Sequence, residues 1–375
     1  MSKIKVLSIF GTRPEAVKMA PVVKCLQEHP QIESLICVTA QHREMLDQVL
    51  NLFAIRQDFD LNLMQANQSL SALTANLFNS LDPLFEKTKP DWVLVQGDTT
   101  TVMASAICAY YHQIKIGHVE AGLRTHQKYA PFPEEINRRI AGVTADLHFA
   151  PTEHNRQNLL QEGVPDWRIK VTGNTVIDAL RQMAQLPMPE KIRRLLEEKR
   201  VLSGERQLII ITAHRRESFG APLEDIYQGI ARVADYFFDR VELIYPVHLN
   251  PNVQEPAHRL LGNKANITLI EPVEYLALVH LLKHSRLVLT DSGGIQEEAT
   301  GLGKPTLVLR EVTERPEGVT AGVLKLVGTS SERIFEETRL LIEDDELYLK
   351  MAHAANPFGD GHAAERIVQA ILDNQ

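Results

Sequence analysis

Ile4-Lys-Val-Leu-Ser-Ile-Phe10, followed at once by Gly11-Thr-Arg-Pro-Glu15, decides the fold of this chain. A continuous apolar run, closed by a glycine-led polar cluster and then a helical pattern from Glu15 to Glu28, is how a parallel strand buried on both faces looks in sequence. The unit recurs. Ser34 to Thr39 precedes His42 to Phe53, Trp92 to Gln96 precedes Thr101 to His112, and Ile114 to Val119 follows. Strands alternating with amphipathic helices predict an α/β domain with a doubly wound parallel sheet. In such sheets the loops at strand carboxyl ends carry the chemistry, so the polar clusters there read as one dispersed anion-handling site.

The texture changes between Gly173 and Arg206. Thr175 to Met183 is followed by Pro187, Pro189 and a charged stretch, Glu190 to Arg206, which reads as a linker and then a solvated helix. Alternation resumes at Leu208 to Thr212, Val241 to Val247, Ile267 to Ile270, Leu287 to Thr290 and Thr306 to Leu309, which predicts a second doubly wound domain. The expected division is 1–172 for the first Rossmann-like domain, completed by a C-terminal helix in 360–375, and 173–359 for the second. That final helix, Gly361 to Leu372, carries Ala364, Ile367, Val368, Ile371 and Leu372 on one face and must pack against something. Two such domains facing each other would place both sets of strand ends around one cleft.

Composition narrows the ligand. At 375 residues the chain is too long for one comfortable core and suits two. A net charge of -8 and an aromatic content of 6% argue against a nucleic-acid partner, which needs basic surface and stacking platforms; a small anion fits better. Cys25, Cys37 and Cys108 lie in apolar runs without metal or redox spacing and read as reduced core residues. No signal-peptide succession opens the chain, and no apolar run approaches the roughly 20 residues of a membrane helix, so a cytoplasmic protein without a membrane partner is expected.

Leu287-Val-Leu-Thr290, Asp291-Ser-Gly-Gly294 and Ile295-Gln-Glu-Glu-Ala299 read as strand, turn and helix start. Gly293 and Gly294 would let a phosphate approach bare backbone N–H groups at the positive end of the helix dipole. Ser292 as a plain N-cap would look the same. Glu298, one turn on, could accept from ribose hydroxyls or simply complement the dipole. Arg13 and Lys18 flank the helix that follows the first strand and could neutralise a diphosphate, or merely be solvated. Their loop is not Gly-x-Gly-x-x-Gly, which disfavours a nicotinamide cofactor. His214-Arg-Arg-Glu217 repeats the arrangement after Ile209 to Thr212, and its strand-end place lifts His214 above a structural histidine.

Three carboxylates also end or follow apolar runs: Asp98, Glu120 and Glu134. Acid/base work at carbon needs at least two carboxylates whose environments push their pKa values apart, and adjacent strand ends provide that geometry. Singly, Asp98 and Glu134 also read as helix caps. His280 and His284 have the spacing of helical metal ligands but no catalytic Glu between them, so no metal is expected.

Taken in order, Phe10-Gly-Thr-Arg-Pro-Glu15, Gln96-Gly-Asp-Thr99, Gly117-His-Val-Glu-Ala-Gly-Leu-Arg-Thr125, Pro131-Phe-Pro-Glu-Glu-Ile-Asn-Arg138, His214-Arg-Arg-Glu-Ser218, Pro246-Val-His-Leu-Asn-Pro251, Asp291-Ser-Gly-Gly-Ile-Gln-Glu-Glu298 and Thr313-Glu-Arg-Pro-Glu317 make the chain strongly resemble the bacterial non-hydrolysing UDP-N-acetylglucosamine 2-epimerases. The resemblance runs from about residue 4 to the last helix. It implies a glycosyltransferase-B-like fold, a homodimer without cofactor, and interconversion of UDP-GlcNAc and UDP-ManNAc through UDP and enzyme-bound 2-acetamidoglucal. On matching positions it implies that Arg13, Lys18, His214, Ser292, Gly293, Gly294, Glu298 and Arg315 bind the UDP-sugar. Asp98, Glu120 and Glu134 would form the acid/base set, with Asp98 the base at C2. The chain departs from the pattern at Leu278, where relatives carry a Phe near uracil, and at Val273, where a Gln can stand. Gln65-Ala-Asn-Gln68 lacks the Arg that some members use at an effector site reached from Gln41-His-Arg-Glu44. A transferase of the same fold and a non-catalytic UDP-sugar sensor are the competing expectations.

Overall fold

The computed structural model describes residues 3–39, 43–63 and 68–374. The chain divides into two compact units, Met1–Ala179 with Phe358–Gln375, and Leu180–Pro357. Each is an α/β unit built on one parallel sheet.

In the first unit the strands are β1 (Ile4–Phe10), β2 (Ile32–Val38), β3 (Phe59–Asp60), β4 (Trp92–Gln96), β5 (Lys115–Val119), β6 (Leu147–Ala150) and β7 (Ile169–Val171), in the order β3-β2-β1-β4-β5-β6-β7. The second contains β8 (Gln207–Thr212), β9 (Val241–Pro246), β10 (Ile267–Ile270), β11 (Ser285–Thr290), β12 (Thr306–Val308) and β13 (Leu324–Leu326), in the order β10-β9-β8-β11-β12-β13. All pairings are parallel. Strand order reverses between β1 and β4 in one sheet and between β8 and β11 in the other, and ligands of open α/β sheets bind beyond the carboxyl ends at such points.

The apolar runs are continuous because both sheet faces are covered. In the second unit Ile209, Ile211, Leu243 and Leu287 pack on one side against Ile226, Ile230 and Val233 of the helix Ala221–Tyr236. Leu208, Ile210, Ile244 and Val288 point the opposite way, against Leu281, Leu282 and Ala299. In the first unit Leu7, Ile9, Val93 and Val95 pack with the helices Leu70–Thr88 and Thr100–Tyr111.

The charged stretch after Pro189 differs from the expected linker. Its helix, Glu190–Glu198, buries Ile192 and Leu196 in the same cluster as Leu208 and Ile210, because the two apolar side chains at i, i+4 share one face. Arg193, Arg194 and their acidic partners are the solvated remainder.

The last helix, Ala363–Asp373, belongs to the first unit and packs on the helix Arg13–Glu28 through a face that includes Ala364, Ile367, Val368 and Ile371. Its start is fixed by polar contacts: the Ala364 N–H donates to Asp178 at 2.9 Å, and Arg366 donates to the Thr172 carbonyl at 2.9 Å. Among the described residues no helix is long and apolar enough to cross a membrane.

Candidate active site

β1 delivers the chain to Gly11, where a side chain could not fit: a Cβ would lie 2.0 Å from the Thr39 hydroxyl. Thr12 then caps the helix Arg13–Glu28, and Glu15 closes the capping box. The Glu15 carboxylate does more than cap. It accepts from Gly11 N–H at 3.1 Å, Thr12 N–H at 2.7 Å and the Thr99 hydroxyl at 2.7 Å, so it ties the loop after β1 to the loop after β4. Burial pushes its carboxyl above the ordinary range against those hydrogen bonds.

Beyond β4, Gly97 takes a φ of +80°, and Thr99, not Asp98, caps the next helix by accepting from Val102 N–H at 3.3 Å. Asp98 is thereby released from capping. Its carboxylate receives Arg138 at 2.5 Å and its carbonyl receives the Asn137 amide at 3.0 Å. Burial raises the Asp98 pKa; the Arg138 guanidinium opposes this, while Glu120 and Glu134 add to it and Lys18 subtracts. Glu120 follows β5 with a φ of +62° and is 7% exposed. Its carboxylate accepts from Lys18 at 2.5 Å, Asn174 at 3.1 Å and the Gln96 amide. Glu134 opens the helix Glu134–Thr144 with Pro133, not a carboxylate, at the cap.

Lys18, Asp98, Glu120 and Glu134 thus share the wall of one cavity of about 490 Å³, together with Glu15 and Asn137. Arg13 stands five residues before Lys18 at the helix start, partly exposed, and does not line it.

The second unit assembles another cluster at its own switch point. Asp291, fully buried after β11, accepts from the His214 and Arg215 N–H groups at 2.6 and 2.8 Å, which fixes the loop after β8. The His214 ring stacks on His248 with centroids 5.3 Å apart. Burial lowers its pKa, with Asp291 opposing and His248 and Arg215 adding, which favours the neutral ring.

Ser292 occupies the N-cap of the helix Gly293–Gly301 yet makes no side-chain capping bond; its own N–H donates to the Thr290 hydroxyl at 2.9 Å. The Arg315 guanidinium lies 3.6 Å from where a Gly293 Cβ would be, and its Nε donates to Glu297 at 2.5 Å. Around Gly294 a Cβ would meet nothing within 4 Å. Two glycines at a helix N-terminus, a guanidinium beside the first and open space at the second are features that suit an anion. Glu298 sits buried on the same helix. Val273 and Leu278 are partly buried against Ile210 and Leu281. Gln41, His42 and Gln65 to Asn67, where the effector expectation falls, lie outside the described residues.

Sequence reasoning did not single out Glu15, Gln96, Asn137, Arg138, Asn174, Asp291 or Glu297 as site partners. Except for Asn174, all stand inside the quoted motifs, which was the available signal. His280 and His284 are engaged with backbone: His280 Nε2 lies 3.0 Å from the Leu186 carbonyl, and His284 Nδ1 2.8 Å from that of His280. Burial, above all, holds the Cys25, Cys37 and Cys108 thiols at about 11, 12 and 11, so they are not nucleophiles.

The family model described as UDP-N-acetylglucosamine 2-epimerase matches residues 24–372. The UDP-N-acetylglucosamine 2-epimerase of Salmonella typhimurium is 53% identical over 370 residues, 98% of this chain and 98% of that protein. That of Escherichia coli K12 is 52% identical, covering 99% of both. The crystal structure of UDP-GlcNAc 2-epimerase from Neisseria meningitidis bound to UDP-GlcNAc superposes with a TM-score of 0.87 at 50% identity, over 99% of this chain and 100% of that one.

Proposed function

Because this chain belongs to the UDP-N-acetylglucosamine 2-epimerase family, we propose that it interconverts UDP-GlcNAc and UDP-ManNAc by eliminating UDP to a bound 2-acetamidoglucal and adding it back on the other face, without hydrolysis. The observation that carries the reading is the partly buried Asp98 carboxylate, paired with Arg138, on a cavity shared with Glu120, Glu134 and Lys18.

The proton on sugar C2 is not α to a carbonyl and is scarcely acidic. Departure of UDP from C1 develops positive charge at the anomeric carbon, which acidifies the neighbouring C–H and makes elimination feasible. Asp98 takes that proton. Its raised pKa makes it a stronger base than an ordinary aspartate, and the Arg138 guanidinium opposes that rise by stabilising the carboxylate. Glu120 and Glu134, on the wall of the same cavity, return the proton on the opposite face and orient the sugar. Arg13, Lys18, His214, Ser292, Gly293, Gly294, Glu298 and Arg315 bind the UDP-sugar, the bare amides and cations matching diphosphate charge. The sequence of steps neither gains nor loses electrons overall, so it requires no redox cofactor. We further propose a cytoplasmic homodimer.

The test is incubation with UDP-GlcNAc in D₂O, followed by NMR of recovered substrate and product. Deuterium at C2 of both, with the product still attached to UDP, is expected. Persistent protium despite turnover would exclude C2–H cleavage. Free ManNAc would point to hydrolysis, and no product without an added acceptor would favour a transferase. Sedimentation velocity reads the dimer.

A further inference from the structure

His118 lies on β5, 1% exposed, in register with Val95 of β4 and His148 of β6. Its Nε2 is 2.7 Å from the Gly97 carbonyl. A carbonyl only accepts, so this nitrogen carries the hydrogen, and burial, the first of the influences on the ring, holds its pKa down at about 4. The ring is therefore neutral near pH 7, and its buried Nδ1 has no hydrogen-bond partner among the described residues. An apolar side chain would bury more cheaply here, so the single bond that His118 does make calls for a reason.

Gly97 supplies it. The Gly97 N–H donates to the Val119 carbonyl at 3.0 Å, while its carbonyl receives His118. The residue between Gln96 and Asp98 is thus clamped on both sides by consecutive residues of β5, and the next residue of that strand end is Glu120. The Gly97 carbonyl and the Asp98 N–H share one rigid peptide plane. With Gly97 in the left-handed region, this clamp fixes the plane from the β5 side, while Arg138 and Asn137 hold Asp98 beyond it; loss of the clamp frees a rotation that would swing the Asp98 side chain relative to Glu120.

We propose that His118 is a positioning residue for the C2 proton transfer: its Nε2–H, fastened to the Gly97 carbonyl, sets the direction of the Asp98 carboxylate relative to Glu120. The inference rests on the epimerase reading above. His118 touches no reacting atom and transfers no proton; it acts through Gly97 on Asp98. A misplacement of about 1 Å can cost about 10²-fold in rate, which sets the scale of the effect.

Three variants decide it. His118→Phe keeps a buried ring without a donor, His118→Asn keeps an amide too short to reach Gly97, and His118→Gln places an amide N–H close to the position of Nε2. For Phe and Asn, kcat and C2 deuterium exchange are expected to fall together by about 10²-fold, with KM within a few-fold of wild type. Gln is expected to recover at least a tenfold part of that loss and to leave the pH profile in place. Hydrogen exchange should accelerate at Gly97 to Thr99 in Phe and Asn, but not in Gln. A Gln variant no better than Asn, with both folded, overturns the inference, as does a Phe variant with wild-type kcat. A pH limb that vanishes in Gln would make His118 a proton carrier and overturn it too. If Phe does not fold, the Asn and Gln pair decides alone. Failure of the epimerase reading shows separately, as wild-type protein that binds UDP-GlcNAc yet exchanges no C2 proton.

Discussion

At the residue scale the function turns on the environment of Asp98, and its sign can be worked out. A base acts when deprotonated; burial raises the Asp98 pKa, so activity should decline on acidification at a pH above the ordinary aspartate range. Arg138 is the main influence lowering that pKa. Arg138→Gln is therefore expected to move the acid limb of kcat/KM to higher pH, as read from rates across pH 4 to 9. A limb that stays put would assign the base elsewhere. Asp98→Asn keeps the shape and removes the base: C2 exchange in D₂O should fall by about 10²–10⁴-fold, while UDP affinity by calorimetry stays within a few-fold. A non-catalytic sensor would show no turnover for this substitution to remove. These side chains were partly legible. Asp98, Glu120 and Glu134 stood out as acids closing apolar runs, but the cap reading of Asp98 gave way only because Thr99 takes the cap, which depends on backbone torsions that a residue string does not display.

At the scale of the element, the helix Gly293–Gly301 begins with two glycines where helix propensity would favour alanine. Gly294 has open space at its Cβ position, so a methyl group fits without strain in the free protein. Gly294→Ala should thus leave the melting temperature unchanged or slightly raised, yet weaken UDP binding by about tenfold or more if a phosphate approaches that amide. A variant that binds UDP normally would remove the anion site from the second unit. Strand positions were readable to within a residue or two, since both sheet faces bury apolar runs. β3, β6, β7 and β13, two to four residues each, were not: strands this short hold too few residues to leave a periodic signal. Glu190–Glu198 was mistaken for a solvated helix because its buried face is only Ile192 and Leu196 amid charges.

At the scale of the whole molecule, the chain leaves its first unit after Ala179 and returns at Phe358, so the fold of that unit depends on residues far apart in sequence. The amphipathic last helix announced that it must pack, but nothing in its own residues named the partner; that follows from the apolar face of the helix Arg13–Glu28 and from Asp178 meeting the Ala364 N–H. Both tryptophans, Trp92 and Trp167, lie in this unit, so their fluorescence reports its unfolding. Trp92 is also close to the event of interest. Lys115 sits 5.4 Å from the centre of its ring and donates at 2.8 Å to the Asn374 carbonyl at the end of the last helix. Ile371 is fully buried there, and truncation to Ala should cost about 2–5 kcal/mol through lost burial and the cavity left behind. The urea midpoint followed by tryptophan fluorescence is expected to fall accordingly. An unchanged midpoint would mean that the first unit folds without the returning helix.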